Sequence, residues 1–346
     1  MSDPATTLAG MTDLRHHGDV DAAPGLLDFA VNVRGSAPPA WLRDRLVAAL
    51  DRIGTYPSIR DDERAREAVA ARHGRHPSEV LVLAGAAEGF AMLPALAPRL
   101  AAIVHPSFTE PEVALRDAGV PVHHVLGHDL DPARVPDEAD LVVVGNPTNP
   151  TSVLHPAAAL RALVRPGRVV VVDEAFMDAV PDEPESLAGA TTPGLLVFRS
   201  LTKTWALPGL RAGYALGEPA LLARLAAHRP HWPVGTLVLE AVTACSEPAA
   251  VAEAQTAAKE LAGHREWLTG ELAKLGVHVH TPAAAPFLLL RVPNGERVRL
   301  GLRRHGVAVR RADTFPGLTA DHLRVAVRDP EACEPLLAAL KVEVET

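Results

Sequence analysis

Hydrophobic positions along this chain fall into short unbroken runs. They are "VLVLAG" (80–85), "AAIVHP" (101–106), "PVHHVL" (121–126), "LVVVGNP" (141–147), "VVVVDEAF" (169–176) and "LLVFRS" (195–200), with "AGYAL" (212–216) following a Pro-Gly break. Runs such as Val169 to Val172, apolar at every position, predict strands buried on both faces. Helix-like segments such as "HPAAALRALVRP" (155–166) lie between the runs. This alternation predicts an α/β fold with a mostly parallel central sheet flanked by helices. From about residue 218 longer helices dominate, including "PALLARLAAHR" and one over about 248–275. The runs "FLLLRV" (287–292), "VAVRR" (307–311) and "HLRVAVR" (322–328) then predict a smaller α+β unit. The expected organisation is an N-terminal arm over 1–45, rich in Gly, Pro and turn formers, a large domain over 46–235 and a small domain over 236–346.

Composition narrows the functional classes. With 346 residues, 48% of them hydrophobic, the chain can bury a substantial core. No apolar run reaches the ~18 residues of a membrane span, and the N-terminus lacks the basic-then-apolar pattern of a secretory signal. Cys245 and Cys333 stand in no metal or redox spacing, which fits a reducing compartment. A cytoplasmic protein without a membrane partner is expected. The net charge of −8 argues against nucleic-acid binding. "HHVLGH" puts His124 and His128 four apart, but Gly127 and the strand-like context remove a helical metal site, so no metal is expected.

Of the 34 basic residues only four are lysines: Lys203, Lys259, Lys274 and Lys341. Lys203 alone lies among hydroxyl and apolar residues, in "RSLTKTWALPGLRAGY". An amine can lose its proton and attack a carbonyl carbon, which a guanidinium cannot. In open α/β sheets ligands bind beyond the carboxyl ends of the strands, and several polar groups follow the predicted strands. Gly85 and Ala86 form a turn able to aim N–H groups at a phosphate. Phe108 and Asn149 follow the second and fourth runs. Asp173 directly follows four valines, where a carboxylate needs a cationic or protonated partner unless it caps a helix. Ser200 ends the sixth run, and Thr202, Lys203 and Arg211 follow it. There is no GxGxxG fingerprint and no Walker lysine, which disfavours nucleotides. One ligand needs the whole set: pyridoxal 5'-phosphate, whose aldehyde takes an amine, whose pyridine nitrogen takes an acid, and whose phosphate takes hydroxyls, amides and an arginine.

These residues resemble the type I pyridoxal-phosphate enzymes, specifically the histidinol-phosphate aminotransferase group and, within it, the threonine-phosphate decarboxylase branch of the cobalamin pathway. "NPTNPT", "VVDEAF", "RSLTKTWALPGLRAGY" and "HWPV" carry the resemblance. It implies that Lys203 holds the cofactor and moves protons, that Asp173 pairs with the pyridine nitrogen, and that Asn149 bonds the ring 3-oxygen. It also implies that Phe108 stacks on the ring, and that Gly85, Ala86, Ala87, Ser200, Thr202 and Arg211 line the phosphate site. Tyr56 would reach that phosphate from the neighbouring subunit of a homodimer. Arg324 would grip the substrate carboxylate, and His16 and Asn32 would close over a small phosphorylated amino acid.

Three departures bear on the reaction. Phe176 stands where the group's aminotransferases carry a tyrosine, Arg34-Gly35 replaces an Asn-Pro step after Asn32, and position 87 is alanine instead of an acid. Phe176 agrees with the decarboxylase branch, so decarboxylation of L-threonine O-3-phosphate in cobalamin biosynthesis is the expected activity. The alternative is an aminotransferase of the histidinol-phosphate or aromatic type. A cofactor-binding regulator without turnover is disfavoured by the short arm and the acidic balance.

Overall fold

The computed structural model describes residues 14–345. A two-residue strand, β1 (Leu27–Asp28), precedes helices Ala40–Ala49 and Ile59–His73. Ser58 starts the second of these by accepting from Asp61 N, and Gly74 ends it at φ 64°. Then come β2 (Val80–Leu83), β3 (Ala101–His105), β4 (Val122–Leu126), β5 (Leu141–Gly145), β6 (Val169–Asp173), β7 (Leu195–Ser200) and β8 (Gly213–Leu216). They form one sheet in the order β2-β8-β7-β6-β5-β3-β4. The pairs from β4 through β7 are all parallel, and β8 runs antiparallel to both neighbours. The unbroken apolar runs are explained by this placement, because β3, β5 and β7 are buried at every residue.

Two buried clusters cover the two faces of that sheet. One joins Val142, Val144, Val170 and Val172 to Trp205 and to helix Thr236–Ser246 through Val238, Leu239 and Val242. The other joins Val143, Val171 and Phe198 to helices Ala86–Met92 and Pro219–Leu225.

The rest of the chain builds a second layer. Its strands are β9 (His278–Val279), β10 (Phe287–Arg291), β11 (Val307–Ala308), β12 (Arg310–Arg311) and β13 (His322–Ala326). Four of them make an antiparallel sheet in the order β12-β13-β10-β9, while β11 pairs in parallel with β1. Phe29 joins the cluster under this sheet, so the N-terminal segment is built into the C-terminal unit. Helix Pro248–Lys274 links the layers: Ala250 and Ala254 sit in the large-sheet cluster, Leu268 and Leu272 in the small-sheet one. None of the described helices is long and apolar enough to cross a membrane.

Candidate active site

Because β3, β5, β6 and β7 run parallel, their carboxyl ends open into one cavity of about 530 Å³ between the two sheets. The walls include Asn32, Ala86, Ala87, Phe108, Asn149, Asp173, Ser200, Thr202, Lys203, Arg211 and Arg324. These residues are spread over nearly 300 positions of sequence, yet the strand ends collect them.

Asp173 ends β6, and no α-helix follows it; only a short 3-10 turn, Met177–Ala179, comes next. Its carboxylate accepts a hydrogen bond from Ala175 N at 3.1 Å. Burial pushes its pKa up to about 7, and the neighbouring Glu174 adds to the rise. An acid in that position calls for a positively charged N–H donor.

Lys203 sits in the turn after β7, held to the arm where Arg34 N donates to its carbonyl at 2.9 Å. Desolvation lowers its amine to about 8, with Arg324 and Arg211 adding to the effect. Among the described residues no side chain hydrogen-bonds Lys203 Nζ. Nearby, Ser200 Oγ and Thr202 Oγ1 lie 2.8 Å apart. Arg211 adopts φ 63°, an uncommon conformation for a side-chain-bearing residue, and donates to Pro208 O at 3.2 Å. Its guanidinium closes on Gly85: at φ +81° a Cβ added there would lie 2.9 Å from Arg211 Nη2. Glycine at this turn leaves room for the backbone and the guanidinium to face the same small anion.

Asn149 Oδ1 accepts from Arg324 Nη1 at 2.7 Å, which leaves the Asn149 amide free to donate to a ring oxygen. Arg324 Nη2 donates to Ala30 O, while Arg324 Nε and Asn32 Oδ1 are buried with no partner among the described residues. Phe108 packs at 5.9 Å from Phe90 and offers a face to the cavity. An amine of lowered basicity, a buried acid awaiting a cation, two hydroxyls beside an arginine–glycine cradle, and an orphaned donor and acceptor together fit pyridoxal phosphate.

The structure also supplies residues that sequence reasoning missed. Arg310 lines the cavity and lies directly across from Arg324 in the register of β12 and β13. Both guanidiniums are buried, and burial is the main reason their pKa values fall, to about 10 for Arg310 and about 9 for Arg324. His17 and Asp19 enter from the arm, with His17 Nε2 2.6 Å from Glu110 Oε1 and its ring 5.5 Å from Phe108.

His16, the expected arm residue, does not line the cavity. Its Nε2 lies 3.1 Å from Asp21 Oδ2, and its carbonyl accepts from Arg310 Nη2 at 2.6 Å. The arm turns by one residue, so His17 faces in. Tyr56 is also outside this chain's own cavity, 73% exposed and stacked 4.2 Å from Trp232.

The sequence profile described as "Aminotransferase class I and II" matches residues 25–340. A histidinol-phosphate aminotransferase of Mycobacterium tuberculosis (strain H37Rv) is 55% identical over 332 residues, covering 95% of this chain and 90% of the relative. The threonine-phosphate decarboxylase of Salmonella typhimurium is 31% identical, over 91% and 90% of the two chains. The crystal structure of the histidinol-phosphate aminotransferase from Clostridium acetobutylicum superposes with a TM-score of 0.84 at 24% identity, covering 91% of this chain and 98% of that one.

These similarities correct the expected decarboxylation of threonine phosphate, and the cobalamin pathway with it, because the Mycobacterium tuberculosis aminotransferase, at 55% identity, is far more similar than the decarboxylase at 31%. Phe176, which had favoured the decarboxylase, has a packing role: its ring meets Phe287 edge-on at 4.9 Å in a buried apolar cluster with Ala285. A phenylalanine there reports the neighbouring side chains and leaves the reaction undecided.

Proposed function

We propose that this chain, which belongs to the class I and II aminotransferase family, is an aminotransferase of the histidinol-phosphate type. Its substrate would be a small phosphorylated amino compound, and its acceptor a 2-oxo acid. Members of the family are pyridoxal-phosphate enzymes, in agreement with the expected cofactor, and Lys203 and Asp173 are the residues we assign to it. The observation that carries the substrate class is the cross-strand pair Arg310–Arg324. Like charges directly opposite each other in a sheet repel, and both are depressed in pKa by burial. Asp21, 3.5 Å from Arg310, offsets them in part, with smaller contributions from Asp313 on Arg310 and Asp28 on Arg324. A phosphate dianion bound between the two would satisfy them and the orphaned Arg324 Nε.

The bound cofactor supplies an electron sink that makes the substrate Cα–H acidic. Asp173 would keep the pyridine nitrogen protonated, and Asn149 would donate to the ring oxygen. Ser200, Thr202, Arg211 and the turn Gly85-Ala86-Ala87 would hold the cofactor phosphate. Lys203 would hold the cofactor at rest; once free, its amine in the neutral form would take the proton from the substrate Cα and pass it to the cofactor within the same half-reaction, and run the same transfer in reverse with the oxo acid. Phe108, His17 and Asn32 line the same cavity, the His17 and Phe108 rings in contact at 5.5 Å.

We further propose a cytoplasmic homodimer in which Tyr56 completes the partner's phosphate site. The exposed side chains Val47, Leu50, Ile53, Tyr56, Ile59 and Trp232 support such a contact. The packing of helix Pro248–Lys274 supports a large/small division within that helix instead of at 235/236, with the arm travelling with the small unit.

The deciding experiment supplies the purified holoenzyme with L-histidinol phosphate and 2-oxoglutarate and measures glutamate. Efficient glutamate formation, weakened when unphosphorylated histidinol is used, is the expected result. No amino transfer from histidinol phosphate would overturn the assignment.

A further inference from the structure

Outside the catalytic cavity, three metal-ligating side chains from three elements meet at the β3–β4 edge of the large sheet. His105 closes β3, His124 lies in β4, and Glu112 lies in helix Glu110–Asp117, which crosses over them. His105 Nε2 is 3.0 Å from Glu112 Oε2, and His124 Nε2 is 2.7 Å from Glu112 Oε1. One ligand atom from each residue falls within 4.8 Å of the other two. His105 and Glu112 are fully buried, while the His124 side chain is 30% exposed and gives access from solvent.

We infer that His105, Glu112 and His124 form a binding site for a divalent transition-metal cation of the zinc class. Two ligand atoms about 2.1 Å from one ion at the tetrahedral angle are about 3.4 Å apart, so the nitrogen–oxygen separations of 3.0 and 2.7 Å here open by roughly half an ångström when an ion enters. Two imidazoles with one carboxylate select zinc, copper or nickel over magnesium and calcium, which favour all-oxygen sites. Ser107 Oγ stands 3.3 Å from His105 Nδ1 and orients the ring from behind.

The Arg116 guanidinium balances the carboxylate, its Nε 2.6 Å from Glu112 Oε1. That side chain is 42% exposed, so it can swing into water and leave the fourth ligand position to a solvent molecule. Binding replaces the two Nε2–H protons directed at Glu112 and ties β3, β4 and the crossing helix together. Phe108 lies between β3 and that helix, so the ion would fix the base of the turn that presents Phe108 to the catalytic cavity.

The test titrates chelator-treated holoenzyme with Zn²⁺ by calorimetry and follows thermal unfolding in parallel. One ion per chain and a raised melting temperature are expected. His124→Gln should weaken binding by more than about tenfold and abolish the thermal shift. Arg116→Gln, which removes the competing cation from the rim, should tighten binding several-fold. Absence of stoichiometric Zn²⁺ binding, or binding unchanged by both substitutions, would overturn the site.

Discussion

Lys203 is useful because its surroundings make it a weak base. Desolvation first, then Arg324 and Arg211, lower its amine to about 8 in the cofactor-free protein. The neutral amine is the species that attacks an aldehyde. Covalent capture of pyridoxal phosphate by the apoprotein should therefore accelerate about tenfold per pH unit below 8 and level off above it. Stopped-flow absorbance between pH 6 and 9 checks this; a flat profile would remove Lys203 from that role.

Asp173 carries the opposite liability. Without a cofactor its pKa stands near 7, against 3.8 when unshielded. Between those values the unfolded chain has lost the proton and the folded chain retains it. Stability of the apoprotein therefore falls as pH rises from about 4 to 7 and stays low above that range. Asp173→Asn removes the penalty, so the variant apoprotein should melt about 5 °C higher than wild type at pH 8, with less than half that gap at pH 5. Turnover of the holoenzyme should drop by about 100-fold or more through the weakened electron sink. Calorimetry at two pH values and a transamination assay separate the two effects.

Arg310 gives the third expectation at this scale. Arg310→Gln should raise KM for a phosphorylated substrate by about 10- to 100-fold while leaving KM for 2-oxoglutarate less affected. Equal KM changes for both substrates would assign the phosphate elsewhere. Arg310 was illegible in the sequence because it is one of two adjacent arginines in a short strand. Its meaning comes from the register that sets it across from Arg324, 14 residues further on. Lys203 and Asp173 were legible, because each stood out against its own neighbours.

At the scale of elements, the continuous apolar runs announced the seven-stranded sheet, since a strand buried on both faces leaves no alternation to confuse it with a helix. The six runs from 80 to 200 correspond to β2 through β7, five of them trimmed by one to three residues and the last, 195–200, unchanged. Helices Ile59–His73 and Gly295–Arg304 were harder to see, because their charged faces hide narrow apolar stripes. The run 307–311 divides into β11 and β12, which join different sheets. Pairing of this kind depends on distant partners and leaves no local trace.

The turn between β2 and helix Ala86–Met92 yields an element-level prediction. Gly85 combines φ +81° with ψ 157°, a region nearly closed to other residues. Gly85→Ala should cost about 1–3 kcal/mol of stability. By crowding Arg211 it should also raise the dissociation constant for pyridoxal phosphate about tenfold. Fluorescence titration of the apoprotein reads the second effect, and an unchanged constant would exclude this turn from the phosphate site.

At the scale of the molecule, Tyr56 and Trp232, 73% and 56% exposed, form a stacked pair that a monomer leaves in water. A dimer built over this surface would bury them and bring Tyr56 to the second cavity. Ile53→Asp combined with Ile59→Asp should shift the protein to monomers in sedimentation velocity and reduce transamination by about tenfold or more. A wild-type protein that is monomeric and fully active would refute the shared site.

The pairing of β1 with β11 has a consequence for how the chain is made. Phe29 N donates to Ala308 O and Ala326 N donates to Phe29 O, so residues near the start are completed by residues near the end. A ribosome adding about 5–20 residues per second leaves the first strand without its partner for roughly 15 to 60 s. Through that interval the nascent large sheet can already pack, while the arm and its apolar Phe29 stay exposed to chaperones and proteases. The substrate-closing segment is therefore the last part of the protein to be secured at birth, and translation speed becomes a determinant of its yield.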